Sequence, residues 1–131
     1  MKLERIDHIC IAVKDRIAAE ARFKEIFGLD PDLRYIDDKE KIDVARYYLG
    51  EVGVELVAPT DEDGEVAKFI RSRGEGFFLL SLKVPDTVQA LEELKEKPVS
   101  LVDQTPRLWG DHRFAFIHPR SLFGVLLEII D

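Results

Sequence analysis

Apolar and polar residues alternate near the start of the chain in the way that is typical of a β-strand. This alternation covers residues 5–13 and places successive side chains on opposite faces. Asp15 then precedes a segment with helical spacing of its apolar residues, and Gly28 ends it. Two further strand-like runs, 42–49 and 52–57, follow with a tight connection between them. The first half therefore predicts a strand, a helix and more strands.

The second half of the chain repeats this order of elements. Equivalent motifs lie 71 residues apart, since Val13 corresponds to Val84 and Gly53 to Gly124. The predicted elements of this half are a strand over 77–84, a helix after Asp86, and strands over 99–102, 112–117 and 125–130. The chain therefore contains two copies of one unit.

This repetition predicts an α+β fold of two paired βαβββ modules whose sheets form a shared cup. Module one covers about 4–59 and module two about 75–131, and a connector over 60–74 contains a short helix. A module of about 60 residues buries too little surface to be stable alone. We therefore expect a single domain over residues 1–131, with a small-molecule ligand in the cup.

Two glutamates interrupt otherwise apolar strands, and a histidine shares their predicted face. If Ile9 and Ile11 pack under the helix, His8 points into the cup. Glu55 and Glu128 lie within apolar runs, where a carboxylate is costly without a cation or a metal. Taken singly, each has a simpler interpretation, as a solvent-facing edge residue or a core histidine. Together they predict a site, and without a metal the two carboxylates repel, so that one glutamate titrates high and acts as a catalytic acid or base.

The same alternation assigns further side chains to the cup. Arg46 falls on the cup side of its strand, where it either neutralises one glutamate or lies in solvent. Tyr48, Phe114 and Phe116 share that side, and aromatic rings suit a planar or acyl ligand as well as a core. We predict that these four residues bind the substrate.

Composition narrows the class of protein. The chain has 131 residues, a formal net charge of -7 and one cysteine, Cys10. A negative chain is not a general nucleic-acid binder, and a single cysteine excludes an internal disulfide framework. Charges at Lys2, Glu4 and Arg5 are atypical of a signal peptide, and no apolar run has the length of a membrane span. We expect a cytoplasmic protein with no nucleic-acid or membrane partner.

Four motifs resemble the vicinal oxygen chelate superfamily, which includes glyoxalases, bleomycin-resistance proteins and extradiol dioxygenases. They are Ile-Asp-His-Ile-Cys-Ile-Ala-Val at 6–13, Gly-Val-Glu-Leu-Val-Ala-Pro at 53–59, Phe-Ile-His-Pro at 116–119 and Gly-Val-Leu-Leu-Glu-Ile at 124–129. Within the superfamily, the chain is most similar to the methylmalonyl-CoA epimerases, with which it shares the segment at 67–76. The resemblance covers nearly the whole chain and implies the same paired-module fold.

The resemblance also implies a metal site and a substrate. It places metal ligands at His8, Glu55 and Glu128, for a divalent ion such as Co, Mn, Fe, Zn or Mg. The fourth ligand of the family is a histidine, and Leu79 stands at that position. The extra acid–base glutamate of the epimerases falls near Val44. An acyl-CoA ligand and a homodimer are further implications of the resemblance.

Two functions stay open at this point. The first is an epimerase-, isomerase- or lyase-like enzyme, in which a degenerate metal site assists proton transfer on an acyl or keto substrate. The second is a metal-free protein of the bleomycin-resistance type that sequesters or senses a small molecule. The apolar run from Phe77 to Leu80 is compatible with the second.

Overall fold

The protein, described over all 131 residues by a computed structural model, divides into two compact units. One unit contains Met1–His8 together with Leu79–Asp131, and the other contains Ile9–Phe78. Strand β1 (Arg5–Ala12) belongs to both, since the boundary falls after His8. None of the helices combines the length and the apolar character that a membrane crossing needs.

The unit Ile9–Phe78 contains two helices and three complete strands. Its elements after β1 are α1 (Arg16–Phe27), β2 (Leu33–Asp37), β3 (Ile42–Leu49), β4 (Val52–Pro59) and α2 (Glu65–Arg73). The strand order is β2-β3-β4-β1, and both the β2–β3 and β3–β4 pairs are antiparallel. Asp15 accepts a hydrogen bond from the Ala18 amide, and Gly28 ends α1 in the left-handed conformation, as the sequence predicts.

One face of this sheet packs against α1 and forms the core of the unit. Ile9, Ile11, Ala19 and Phe23 pack onto it, which confirms the side of β1 predicted to lie under the helix. The buried members of the core are Val13, Ala45, Tyr47, Val54, Leu56 and Ala58. Because strand side chains alternate, Arg46 and Glu55 lie on the other face of the sheet.

The other unit has one helix and four strands besides the start of β1. Its elements are most of β5 (Gly76–Lys83), then α3 (Thr87–Lys95), β6 (Arg107–Trp109), β7 (His112–Ile117) and β8 (Leu126–Ile130). The strand order is β1-β5-β8-β7-β6; β5 and β8 are parallel, whereas β6–β7 and β7–β8 are antiparallel. Residues Ala90, Leu91 and Leu94 of α3 pack onto one face of the sheet.

The element order confirms the α+β class and the two βαβββ modules. The predicted strand over 99–102 is wrong, because only Leu101 forms a bridge, to Ile117. The Asp103 carboxylate accepts the Phe116 amide hydrogen bond and so replaces the next backbone bond of a ladder. Strand β6 pairs with β7 instead, and neither β6 nor β2 was predicted as a strand of its own.

Candidate active site

Glu128 lies in a chain of polar contacts within its unit. On β8 it is the register partner of Ser81 on β5, and the Ser81 hydroxyl donates to Glu128 Oε1 at 2.6 Å. His8 Nε2 lies 3.5 Å from the same oxygen. At the far side of the ring, His8 Nδ1 is 2.8 Å from Asp7 Oδ2. The carboxylate of Asp7 therefore holds the imidazole so that Nε2 faces Glu128.

Leu79 shares this face of the sheet with Ser81, as predicted. It is the register partner of Leu126, and only 4% of its surface is exposed. A leucine offers no ligand atom, so the position at which the resemblance implies a histidine ligand is apolar. The unit thus presents one imidazole and one glutamate beside a buried apolar side chain.

Glu55, in the other unit, is buried and has three hydrogen-bond donors around its carboxylate. Arg46 Nη1 lies 3.0 Å from Glu55 Oε2, and the Tyr35 hydroxyl donates to the same oxygen at 2.8 Å. The Cys10 thiol lies 3.3 Å from Oε1. This arrangement supports the interpretation of Arg46 as the group that neutralises one glutamate, rather than as a solvated charge.

Tyr35 was missed by the sequence analysis. It lies on β2 opposite Val44, in a strand with no clear alternation of its own. Burial, and next the charge of Glu55, raise the pKa of Tyr35 far above its usual value, so the hydroxyl keeps its proton and acts as a donor. A tyrosine in a half-apolar segment was the only signal for it, and that signal is too common to predict a site.

The predicted substrate-binding aromatic residues fall into two places. The Tyr48 ring lies 5.0 Å from the Arg46 guanidinium carbon and is half-exposed. Phe114 and Phe116 contact each other edge to face, with ring centroids 5.7 Å apart. Phe116 is the register partner of Glu128, so the two share a face of the sheet. Their role toward a substrate stays a prediction.

Each of the two units offers side-chain atoms that could bind a divalent ion. His8, Cys10, Glu55 and Glu128 offer the imidazole, thiol and carboxylate atoms that such ions bind. The Asp7–His8 contact is the outer-shell arrangement that orients metal-binding histidines. Glu55 differs, since a guanidinium already neutralises its charge. The ligand roles of His8, Glu55 and Glu128 stay predictions.

Comparisons with known proteins give the family. The family profile described as the glyoxalase/bleomycin resistance protein/dioxygenase superfamily matches residues 7–116. The uncharacterized protein YqjC of Bacillus subtilis is 30% identical over 130 residues, which are 98% of this chain and 93% of that protein. The mitochondrial methylmalonyl-CoA epimerase of Bos taurus is 26% identical over 129 residues, which are 97% of this chain and 74% of the relative.

A solved structure is similar over the same length. It is a variant methylmalonyl-CoA epimerase from Streptomyces coelicolor in complex with 2-nitronate-propionyl-CoA, with a TM-score of 0.91 and 26% identity. The match covers 98% of this chain and 94% of that one. The chain therefore belongs to the glyoxalase/bleomycin resistance protein/dioxygenase superfamily, and its fold is that of the methylmalonyl-CoA epimerases.

Proposed function

We propose that this protein catalyses proton removal and return at the α-carbon of an acyl-CoA thioester that carries a second carboxylate. The observation that carries the proposal is the buried Glu128, with Ser81 on one oxygen and His8 beside it. The similarity to epimerases named for methylmalonyl-CoA supports the choice of substrate class. The thioester carbonyl acidifies the α-proton, and positive charge beside the enolate oxygen would allow a carboxylate base to remove it.

Glu128 is the base in this proposal, whereas Glu55 does not take the proton and instead holds Arg46 and Tyr35 in place. The Ser81 hydroxyl fixes Oε1 of Glu128, which orients Oε2 as the oxygen that takes the proton. Glu55 is a weaker candidate because Arg46 and Tyr35 hold one of its oxygens. The catalytic role predicted for both glutamates thus separates into two roles.

The cofactor and the ligand contacts belong to the same proposal. The resemblance proposes His8, Glu55 and Glu128 as the residues that would hold a divalent ion, and such an ion would supply positive charge for the enolate oxygen. Tyr48, Phe114 and Phe116 are the proposed contacts of the acyl group. The cytoplasmic location and the homodimer stay predictions from the sequence and its resemblance.

Deuterium exchange tests the reaction directly. Methylmalonyl-CoA is incubated with the protein in deuterated water, with chelator or with added Co²⁺ or Mn²⁺, and loss of the α-proton is followed by NMR. We expect exchange with the native chain and a decrease of about 100-fold or more in Glu128→Gln, which keeps the shape of the side chain. Gln89→Glu, on the exposed surface of α3, is a control for a Gln/Glu change outside the site.

The outcomes separate the proposal from its alternative. No exchange under any of these conditions would exclude the proton-transfer function. Exchange that survives in Glu128→Gln would contradict the assignment of the base alone. Tight binding of the thioester without exchange would favour the sequestering function, for which the buried Leu79 on the face of Glu128 is the supporting observation.

A further inference from the structure

The register of strands β3 and β4 and the burial of the site fix the position of the Arg46 guanidinium. Arg46 on β3 is the register partner of Glu55 on β4, so their side chains lie side by side on one face. The two side chains are 16% and 3% exposed, and Nη1 and Oε2 are 3.0 Å apart. An ion pair this buried is held in place by its surroundings as well as by its charges.

Gly53 provides the space for this guanidinium. A Cβ atom at Gly53 would lie 2.4 Å from Nη2 of Arg46 and 2.5 Å from Cζ, which is far inside van der Waals contact. The guanidinium therefore lies directly against the Gly53 backbone, with the Tyr48 ring also beside it. Gly53 has no left-handed backbone angle, so the close approach, not the conformation, requires a glycine here.

The charge of Glu55 is thereby compensated inside the protein. Tyr35 and Cys10 donate to its carboxylate as neutral groups, and Arg46, in direct contact with it, brings a permanent positive charge. A divalent ion at Glu55 would be close to a fixed positive charge and would be repelled by it. At Glu128 the neighbouring groups include the Ser81 hydroxyl and the His8 imidazole, and an imidazole can itself bind a metal ion.

We propose that Arg46, placed by Gly53 and Tyr48, is the resident cation of Glu55 and excludes a divalent metal ion from that carboxylate. The inference deepens the proposed function, on which it rests, and replaces the ligand role that the resemblance implies for Glu55 with the charge of Arg46. Arg46 is thus a residue that determines metal dependence: it supplies at Glu55 the positive charge that a metal would supply. The native chain therefore binds divalent ions only weakly at Glu55.

Metal titration of two variants tests this inference. Arg46→Gln removes the charge, and Gly53→Ala displaces the guanidinium while the net charge is kept. Calorimetric titration with Co²⁺ and Mn²⁺ should show tighter binding in both variants, by about tenfold or more, because Glu55 regains an uncompensated charge. Arg22→Gln, which removes an exposed arginine of α1 paired only on the surface, should leave metal affinity unchanged.

Thermal unfolding gives a second readout that does not depend on tight binding. Arg46→Gln should unfold at a lower temperature in chelator, and Co²⁺ or Mn²⁺ should restore stability to it far more than to the native chain. Unchanged or weaker metal binding in both variants would overturn the inference. Failure of the proposed function would instead show as absent deuterium exchange in every variant, whatever the metal titrations give.

Discussion

At the scale of single residues, Leu79 and Arg46 distinguish this chain from the ligand pattern that its resemblance implies. Leu79 is buried on the face that carries Ser81 and Glu128, so an apolar side chain lies where a ligand is expected. Arg46 adds a positive charge at Glu55. Both residues should lower the affinity for a divalent ion, because Leu79 offers no ligand atom and Arg46 repels a cation.

A histidine at position 79 should partly reverse this effect. We expect Leu79→His to raise the affinity for Co²⁺ or Mn²⁺, since it adds a nitrogen ligand on the face of His8 and Glu128. Calorimetric titration measures the change in metal affinity. The matched control is Leu79→Asn, because asparagine is polar like histidine but has no imidazole. Equal affinities in the two variants would mean that position 79 does not face the proposed ligands.

At the scale of elements, helix α1 is joined to its sheet by ion pairs as well as by apolar packing. None of its residues is buried, and Phe23 provides its main apolar contact, with the Tyr47 ring centroid 4.8 Å away. Glu20 contacts both Arg16 and Arg34, and Arg16 Nε lies 2.8 Å from Asp43 Oδ1 on β3. This network joins α1 to β2 and β3, the strands that carry Tyr35 and Arg46.

The network predicts a specific pH dependence of stability. The hydrogen bond from Arg34, and after it that from Arg16, outweigh partial burial and hold the pKa of Glu20 below its usual 4.5. A lowered folded-state pKa stabilises the fold at higher pH, and this contribution is lost as pH falls through that value. Glu20→Gln should therefore unfold at a lower temperature than the native chain at pH 7.

The difference should shrink below about pH 4 and disappear in stronger acid, where both chains lack the carboxylate charge. Thermal unfolding monitored by circular dichroism between pH 3 and pH 7 measures it, as roughly a few degrees at neutral pH. Glu25→Gln, at an exposed pair on α1, should show a smaller effect. A constant difference across this range would contradict the assigned role of the charge.

At the scale of the whole molecule, each unit has its own apolar core and its own buried glutamate. The cores of the two units are separate clusters, one under α1 and one under α3. Glu55 and Glu128 both lie on the sheet face opposite the core of their unit. The 71-residue repeat equates Glu55 with Leu126, so Glu128 lies two residues beyond the equivalent position, on the same face of its strand.

A ligand of the proposed class should stabilise the whole chain. At a concentration 100 times its dissociation constant, a ligand that binds only the folded state adds about 2.7 kcal/mol. We expect methylmalonyl-CoA to raise the unfolding temperature more than acetyl-CoA or free coenzyme A, because the proposed substrate class carries a second carboxylate. Differential scanning fluorimetry with these three compounds measures the shift. Equal shifts would show that the second carboxylate is not recognised.

The sequence by itself determined the elements and the faces of their side chains. Strand alternation, the caps at Asp15 and Gly28 and the 71-residue repeat are local or periodic signals, so they predict the modules, and they place Glu55 and Glu128 on the faces opposite the cores. These signals fail where a side chain replaces a hydrogen bond between backbones. At the predicted strand over 99–102, the Asp103 carboxylate accepts the hydrogen bond from the Phe116 amide.

Only the tertiary structure decided which groups surround each glutamate. Tyr35 reaches Glu55 from β2, two strands away in the sheet, and Arg46 meets it because of the register between β3 and β4. Register depends on turns and on the packing of a whole face, which a period of two residues does not specify. The partners of a buried carboxylate determine whether it binds a proton, a metal ion or a guanidinium, so this chemistry was decided by the folded chain.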